Sequence, residues 1–311
     1  MSIAASDTGT DRAPAIESDP RPSAQPIKAR RLTLDYDTDP LPKYFMEDEL
    51  MSHVVAVLSA LFPEGEDFFV RSVRHYRDQI TDPELKSQIA GFIGQEANHG
   101  REHRNFNARL QALGYPTARV DRLVRRGLAM NEKTRSPEVC LAVTAALEHY
   151  TATLAEVLLT DARARGMFTS DEARELLVWH ALEESEHKAV AFDVYQAVVG
   201  DQKLRARIMR ETTFWFLFDS VTQTVLSVLA DRHARRPKVL WANLKKIRRS
   251  PWLTREVRRR IRDYQRPDFH PDDYDNAELT AEWRERLFGD GGELADRIRK
   301  PRSAAAVSAA A

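Results

Sequence analysis

The stretch WHALEESEHKAVAFD, from Trp179 to Asp193, decides the fold because it sets a pair of metal-binding side chains into a helix. Within it, Glu184 and His187 lie three residues apart, which on a helix places both on one face, about one turn apart. A second Glu-x-x-His pair, Glu96 and His99, lies upstream in QEANHGREH. Two such pairs, each preceded by a helix with its own glutamate, match the ligand set of a four-helix bundle that binds two metal ions.

Composition indicates a helix-rich globular protein. The chain has 311 residues, of which 42% are hydrophobic and 30% are charged. One large domain, or one domain with appendages, is expected at this length. No Val/Ile/Thr alternation bounded by turns predicts strands, so we expect an all-α fold. Lys and Arg balance Asp and Glu at 47 each, so the net charge gives no electrostatic reason to expect a nucleic-acid partner.

The single cysteine, Cys140, excludes an internal disulfide framework and a Cys-rich zinc site, and it fits a reducing compartment. The N-terminal residues show no basic start followed by an apolar run, so no secretory signal is expected. We expect a cytoplasmic protein, with membrane association as the alternative. Residues 1–30 are rich in Ser, Pro, Asp and Ala, and residues 291–311 end in RSAAAVSAAA, so both segments are predicted to be disordered tails.

Helix signals divide the first half of the chain. Apolar residues recur at helical spacing over residues 43–62, which predicts a helix. Pro63 to Gly65 is predicted to end this helix, and a further helix is expected to run to about Gln79. Thr81 to Glu84, TDPE, combines a polar cap, a proline for the first turn and a glutamate at the capping-box position. The helix that it opens is expected to stop near Gly114.

The second half repeats this pattern after a crossover, residues 114–136, which we expect to be helical in part. Ser136-Pro137 opens a long helix that is predicted to end near Gly166. The capping box TSDE at residues 169–172 opens another, predicted to run to about Gly200.

The glutamates lie symmetrically about the two predicted turns. Glu66 and Glu96 have their midpoint at residue 81, and Glu148 and Glu184 have theirs at residue 166. Each glutamate therefore lies 15 or 18 residues from its turn, roughly 22 to 27 Å along a helix. Two such hairpins would bring six candidate metal ligands to one depth, namely Glu66, Glu96, His99, Glu148, Glu184 and His187.

Single Glu-x-x-His pairs in a chain this rich in glutamate are commonly exposed surface pairs, so each candidate has a competing interpretation. Glu64 competes with Glu66, and we choose Glu66 because Phe69, Val70 and Val73 share its helix face.

Five further side chains near the pairs have competing interpretations of the same kind. His103 and His180 continue the faces of the two pairs, and each is either close to the metals or a hydrogen-bonded core histidine. Three glutamates beside the pairs are expected to be solvated: Glu102, Glu183 and Glu186.

Mixed carboxylate and imidazole ligands suit iron first, with manganese or zinc as alternatives. A neutral histidine that binds a metal needs an acceptor for its other ring nitrogen. Nearby candidates in sequence for this supporting role are His103, His149, Tyr150 and Asp193.

Residues 201–290 are expected to form additional apolar and basic helices packed on a metal-binding bundle of residues 31–200. Residues 211–230 are strongly apolar but contain Glu211 and Asp219, so we do not predict a transmembrane span. Residues 232–263 contain 13 Lys or Arg residues and only two acidic residues. This segment is interpreted either as solvated amphipathic helices packed on the bundle or, with the apolar stretch before it, as contact of residues 211–263 with an anionic membrane surface.

Several stretches resemble one known family. FPEGEDFFVRSVRHY, GQEANHGREHRNFN, LEHYTA, WHALEESEHKAVAFDVY and RPDFHP are similar to segments of the bacterial predicted metal-dependent hydrolases, over roughly residues 30–290. The resemblance implies a ferritin-like di-iron carboxylate fold. It also implies that the same six residues hold the metals, with His103 and His180 close by.

The resulting hypothesis is an all-α, ferritin-like four-helix bundle with a dinuclear, di-iron centre and additional C-terminal helices. Its activity would be hydrolysis by a metal-bound hydroxide or, as an oxidoreductase, oxidation of a hydrophobic small molecule by dioxygen. A different class stays open, a peripheral membrane or lipid-handling protein whose metals are structural. Homo-oligomerisation is left open, and no nucleic-acid partner is expected.

Overall fold

The computed structural model describes residues 27–34 and 40–298. Over these ranges the chain forms helices and no β-strand, with two isolated bridges, Leu32 to Ile298 and Met46 to Phe168. The all-α prediction is confirmed. The α-helices are α1 Glu49–Tyr76, α2 Pro83–Ala112, α3 Thr117–Thr134, α4 Pro137–Thr160, α5 Ala162–Gly166, α6 Asp171–His187, α7 Val190–Val198, α8 Gln202–Ala230, α9 Pro237–Ile247, α10 Arg255–Asp263 and α11 Ala277–Phe288.

The first hairpin turns where the capping signals predict it. The Asp82 side chain accepts a hydrogen bond from the Glu84 backbone N–H, and Pro83 opens α2. Asp82 rather than Thr81 caps the helix, so Glu84 stands one position short of the capping-box place. Gly114 ends α2 with φ +96°, a conformation that favours glycine. The short turn makes α1 and α2 antiparallel neighbours.

The predicted interruption at Pro63 is wrong, because α1 continues through this residue. Proline has no N–H, so the carbonyl of Ser59 loses its helical partner four residues on. Asn107 of α2 supplies the missing donor, with its Nδ2 at 2.9 Å from that carbonyl oxygen. Glu66 consequently lies in the middle of one long helix.

Three other helix boundaries differ from the sequence-based prediction. The crossover is almost entirely helical, as α3, rather than helical in part. The fourth helix stops at Thr160, where Asp161 is extended and its side chain accepts from the Arg163 N–H to begin the short α5. The helix predicted to reach Gly200 instead ends at His187, and α7 begins after a two-residue turn.

Four long helices enclose one interior. Helix α1 packs on α2 and on α4, and α6 packs on α4 and on α2. The interior is filled by large apolar side chains such as Trp179, Phe68 and Phe92, all fully buried. Helix α8 lies across α1 and α4.

Both ends of the described chain belong to the fold. Ile27 and Ala29 lie against α2 where Gly91 and Gly94 leave room, since a Cβ at either glycine would come within 2.6 Å of them. Leu294 is fully buried. The predicted tail boundaries at residues 30 and 291 therefore shift outward, and the remainder of the predicted tails, 1–26 and 299–311, lies outside the described residues.

Among the described residues, one helix, α8, is long and apolar enough to cross a membrane by length and composition. That test is also passed by core helices of soluble proteins, but most of the apolar stretch of α8 is not buried. One side of α8, including Thr212, Ser227 and Val228, is buried against the rest of the molecule.

Candidate metal centre

The four long helices carry eight carboxylate and imidazole side chains to one buried point. None of the eight is more than 3% exposed. Their nitrogen and oxygen atoms form overlapping groups of three residues, with all ligand atoms of a group within 4.8 Å of one another, so each group could hold a metal ion. The side chains are Glu66 from α1; Glu96, His99 and His103 from α2; Glu148 from α4; and His180, Glu184 and His187 from α6.

The short distances cross between helices. His187 Nε2 lies 3.0 Å from Glu96 Oε1 and 3.3 Å from Glu148 Oε2. His99 Nδ1 lies 3.7 Å from Glu184 Oε1. The structure therefore brings together all six residues that the sequence proposes as metal ligands. Glu64, the competitor of Glu66, forms an ion pair with Arg125 and takes no part.

Nine donor atoms of this centre are buried without a hydrogen-bond partner in the described part of the chain. They are both oxygens of Glu66, Glu96 and Glu148, Oε2 of Glu184, Nδ1 of His99 and Nε2 of His187. Buried polar atoms are nearly always hydrogen-bonded, and a buried charge without a partner is costly. Nine such atoms facing one another fit a group that accepts lone pairs, which is what metal cations do.

The electrostatics agree with this fit. Burial, followed by repulsion from neighbouring carboxylates, raises the pKa of Glu66 and Glu96 well above the usual range. The same two causes raise the pKa of Glu148 to about 7. Burial lowers the pKa of His99, which keeps that imidazole neutral. Without cations the carboxyls retain protons that metal binding would displace.

Two residues that sequence reasoning missed orient the paired histidines. His99 Nε2 lies 3.1 Å from Glu183 Oε2, and His187 Nδ1 lies 2.9 Å from Gln95 Oε1. The Gln95 oxygen can only accept, and its amide nitrogen donates to Glu186 Oε2 at 2.8 Å. Both histidines thus donate away from the centre and turn a lone pair toward it, the arrangement that metal-binding histidines adopt.

A buried arginine completes this support. Arg30 lies 3.2 Å from Glu183 and 2.7 Å from Glu186, and its side chain is 5% exposed. The prediction that Glu183, Glu186 and Glu102 are solvated is wrong, because the first is fully buried and the side chains of the other two are only 4% exposed. Glu183 and Glu186 tolerate burial because both pair with Arg30, and Glu186 also with Arg284. Arg30 lies in a segment that the sequence assigned to a tail.

Three of the four supporting residues proposed from the sequence have other partners. Asp193 accepts from His270, Tyr150 donates to Thr213, and His149 contacts the backbone carbonyl of Arg260. The residues that do act, Gln95 and Glu183, each directly precede a proposed ligand. Adjacent helix positions point in directions about 100° apart, so spacing along one helix gives no sign of their role.

The fourth candidate, His103, begins a chain of hydrogen bonds whose direction can be assigned. Asn107 Nδ2 donates to the Ser59 carbonyl, which leaves Asn107 Oδ1 to accept from the Ser59 hydroxyl at 2.7 Å. The Ser59 oxygen then accepts from His103 Nδ1 at 2.9 Å. His103 Nε2 is left with a lone pair.

This lone pair fixes the tautomer of the next histidine. His103 Nε2 lies 2.7 Å from His180 Nδ1, so His180 must donate there. A neutral His180 then presents its Nε2 lone pair to Glu184 Oε1 at 2.8 Å. Two acceptors at this distance need a proton or a cation between them. His180 is therefore oriented like a ligand, and His103 supports it.

A large cavity reaches the centre from one side. It encloses about 940 Å³ between α1, α3, α4 and α8, and His180 and Glu184 form part of its wall. Most of the remaining wall is apolar, for example Leu58, Phe62 and Leu147. Its volume is at the upper end of the range of about 300–1,000 Å³ for small-molecule sites.

A family model described as predicted metal-dependent hydrolase matches residues 28–275. The chain belongs to this family. The match confirms the resemblance inferred from the sequence, and all eight residues of the centre lie within it. No curated protein matches the chain, and no solved structure matches it. The predicted metal-dependent hydrolases are named for an expected activity, and the buried Glu and His clusters agree with its metal dependence.

Proposed function

We propose that the protein is a dinuclear metal enzyme on a ferritin-like four-helix bundle formed by α1, α2, α4 and α6. The observation that carries the proposal is the set of nine buried, unpartnered donor atoms that face one another. Seven residues would hold the ions, namely Glu66, Glu96, His99, Glu148, His180, Glu184 and His187.

Charge supports two ions rather than one. The four glutamates carry four negative charges when ionised, and two divalent cations neutralise them within one buried site. With a single divalent cation, two of the four carboxyls would have to keep their protons, because an uncompensated carboxylate in the interior is costly. Carboxylate and imidazole donors without cysteine suit iron first, with manganese or zinc as alternatives.

The reaction that agrees with the family is hydrolysis of a hydrophobic ester or amide. When bound, the cations would supply a Lewis acid for a carbonyl oxygen and a water of lowered pKa. The chain's own residues would hold this centre and the substrate. Gln95 and Glu183 fix the histidines, and the apolar cavity wall binds the hydrophobic part of the substrate and excludes bulk water.

Oxidation of the same kind of substrate by dioxygen is the second candidate, favoured by a cysteine-free set of four carboxylates beside an apolar cavity. Loading with ferrous iron without oxygen, followed by exposure to air, separates the two reactions. Oxygen uptake with a ligand-to-metal absorption band supports oxidation, whereas turnover retained with zinc supports hydrolysis.

Metal analysis of the purified protein tests the centre itself. We expect two ions per chain in the wild type and a large loss in Glu184→Ala and His187→Ala. His149→Gln is the matched control, since His149 is buried beside Glu148 but contacts the Arg260 carbonyl instead. Variants at Glu184 and His187 that retain the wild-type metal content would contradict the proposal.

A further inference from the structure

The outward side of α8 is an exposed apolar stripe. Six large side chains spaced three or four residues apart are each 49–61% exposed, namely Phe214, Leu217, Phe218, Val221, Val225 and Leu229. They extend over about 22 Å of helix. Contiguous apolar surface of this kind is uncommon on soluble monomers and marks a binding surface.

Helix α9, which like α8 packs on α1, carries a second exposed face that is basic and aromatic. Lys238, Trp241, Lys245 and Arg248 recur at spacings of three and four, so they share one side of the helix. Trp241 is 63% exposed, and Lys245 Nζ lies 5.4 Å from its ring centroid. The opposite side faces the protein, where Asn243 donates to Glu49.

The positive charge here is concentrated and unbalanced. Residues 232–263 contain 13 Lys or Arg and two acids in a chain of zero net charge. Within the described residues, no ion pair joins Lys238, Lys245 or Arg248 to an acidic side chain. A second copy of the chain would bring like charges together at this surface, whereas an anionic partner would neutralise them.

The cavity that leads to the metal centre opens beside the same surface. Four of its lining residues are exposed apolar side chains from three elements, namely Leu123 and Met130 of α3, Trp215 of α8 and Leu253 after α9. These exposed side chains give the cavity an apolar rim that includes Trp215 of the stripe's own helix, whereas Glu184 in its wall is only 3% exposed. An apolar molecule could pass from a surface that covers α8 into the cavity without crossing water.

We propose that α8 and α9 dock on an anionic lipid bilayer, and that the cavity takes from it an amphiphile with a long apolar chain whose polar group reaches the Glu184 end. Helix α8 would lie on the bilayer rather than cross it, because its other side packs on α1 and α4. The choice of substrate rests on the proposed function, whereas the docking does not.

Vesicle flotation tests the charge. We expect the wild type to float with equimolar phosphatidylcholine and phosphatidylglycerol vesicles and not with pure phosphatidylcholine. Reversal of two charges in Lys238→Glu/Lys245→Glu should weaken binding at least about tenfold. Arg77→Glu/Lys86→Glu, an equal charge change at the exposed α1–α2 turn, is the matched control and should bind like the wild type. Equal binding by the two double variants would overturn the docking surface.

The apolar stripe is tested by Phe214→Ser/Phe218→Ser, two exposed positions outside the cavity wall, for which we expect loss of flotation with unchanged helix content. Sedimentation equilibrium is run on the same samples. The lipid proposal would be contradicted if the wild type does not bind anionic vesicles but forms a dimer that dissociates in this variant. The stripe would then be an interface between two copies of the chain.

The cavity is tested by binding of a fluorescent long-chain fatty acid. Gly127 lines the cavity, and a Cβ there would meet no atom within 4 Å, so Gly127→Trp places a large side chain at the cavity wall from a position where its Cβ has room. We expect this variant to bind the probe at least about tenfold more weakly, since the probe loses most of its buried contact area. Gly166→Trp is the control, with equal space but away from the cavity. Equal binding by both would overturn the substrate class.

Glu184→Ala separates this inference from the proposed function. We expect the variant to lose metal and yet to float with anionic vesicles as the wild type does. If the folded variant loses both the metal and flotation, docking depends on the metal centre as well as on α8 and α9, which would contradict the proposal. Failure of the metal analysis would leave the vesicle result unchanged.

Discussion

His99 and His187 are linked through one arginine. His99 contacts Glu183, His187 contacts Gln95, and Arg30 joins Glu183 to Glu186, to which Gln95 also donates. A residue from the N-terminal segment thereby holds both histidines in orientation. Burial raises the pKa of Glu183 to about 8, although the charge of Arg30 acts in the opposite direction.

Arg30→Ala should destabilise the protein by about 1–3 kcal/mol, because buried Glu183 loses its arginine donor and Glu186 keeps only Arg284 as its cation. Urea denaturation measures this loss. The neighbouring Arg31 is exposed, so Arg31→Ala should change stability by less than about 0.5 kcal/mol. Similar effects of both substitutions would show that the buried ion pairs contribute little.

His180 and His103 should differ in their effect on metal binding. His180→Gln removes a proposed ligand, so we expect the wild-type stoichiometry to be lost even at saturating metal. His103→Gln removes a support, so affinity should fall about 10–100-fold while the stoichiometry is retained. Titration of the metal-free protein followed by calorimetry distinguishes the two, and the reverse order would refute the assigned hydrogen-bond directions.

At the scale of elements, α1 continues through Pro63 because a side chain of α2 replaces the hydrogen bond that the proline removes. Pro63 leaves the Ser59 carbonyl without a backbone donor, and Asn107 donates to that oxygen. The same amide group orients the Ser59 hydroxyl toward itself and so directs the chain of hydrogen bonds to His103 and His180. One irregularity in a helix is thus coupled to the orientation of a proposed ligand.

A double-mutant cycle tests this coupling. Asn107→Ala alone should cost about 1–3 kcal/mol, since a buried carbonyl loses its donor. In a Pro63→Ala background that carbonyl regains a backbone N–H, so the same change should cost about 1 kcal/mol less. Chemical denaturation of the four proteins gives the coupling energy, and strictly additive effects would contradict the repair.

At the scale of the whole molecule, buried carboxyl groups stay protonated in the folded state when no metal is bound. Glu148, with a pKa of about 7, and Glu183, with a pKa of about 8, hold protons in the folded state that the unfolded chain releases near pH 4.5. His187, whose pKa lies above its usual value under the influence of the nearby carboxylates despite burial, acts in the same direction. Metal binding should weaken this effect, because cations displace the protons of the proposed ligands Glu148 and His187.

Metal-free protein should therefore lose stability as pH rises from 6.5 to 8. The folded state binds more protons there, so stability falls by about 1.4 kcal/mol per pH unit for each group that stays protonated. His99 and His103, whose pKa values burial lowers, act in the opposite direction only below pH 6.5. Urea denaturation of chelator-treated and metal-loaded samples measures both slopes, and equal slopes would contradict a buried cation site.

Sequence by itself determined the elements and the principal residues of the site. Caps, prolines and glycines set the helix starts at Pro83 and Pro137 and the stop at Gly114, because these signals act within one turn of the chain. The recurrence of Glu-x-x-His on two helices singled out the paired ligands, because the helix period places those side chains on one face.

Only the tertiary structure decided what supports the centre and what leads to it. Arg30, Gln95 and Asn107 act through partners 48 to 156 residues away, and no local pattern encodes a hydrogen bond across such a separation. The cavity exists because α1, α3, α4 and α8 pack without filling the space between them. The apolar face of α8 is exposed because no other element of the described chain covers it. Local periodicity fixes which side chains share a helix face, whereas packing fixes what each face meets.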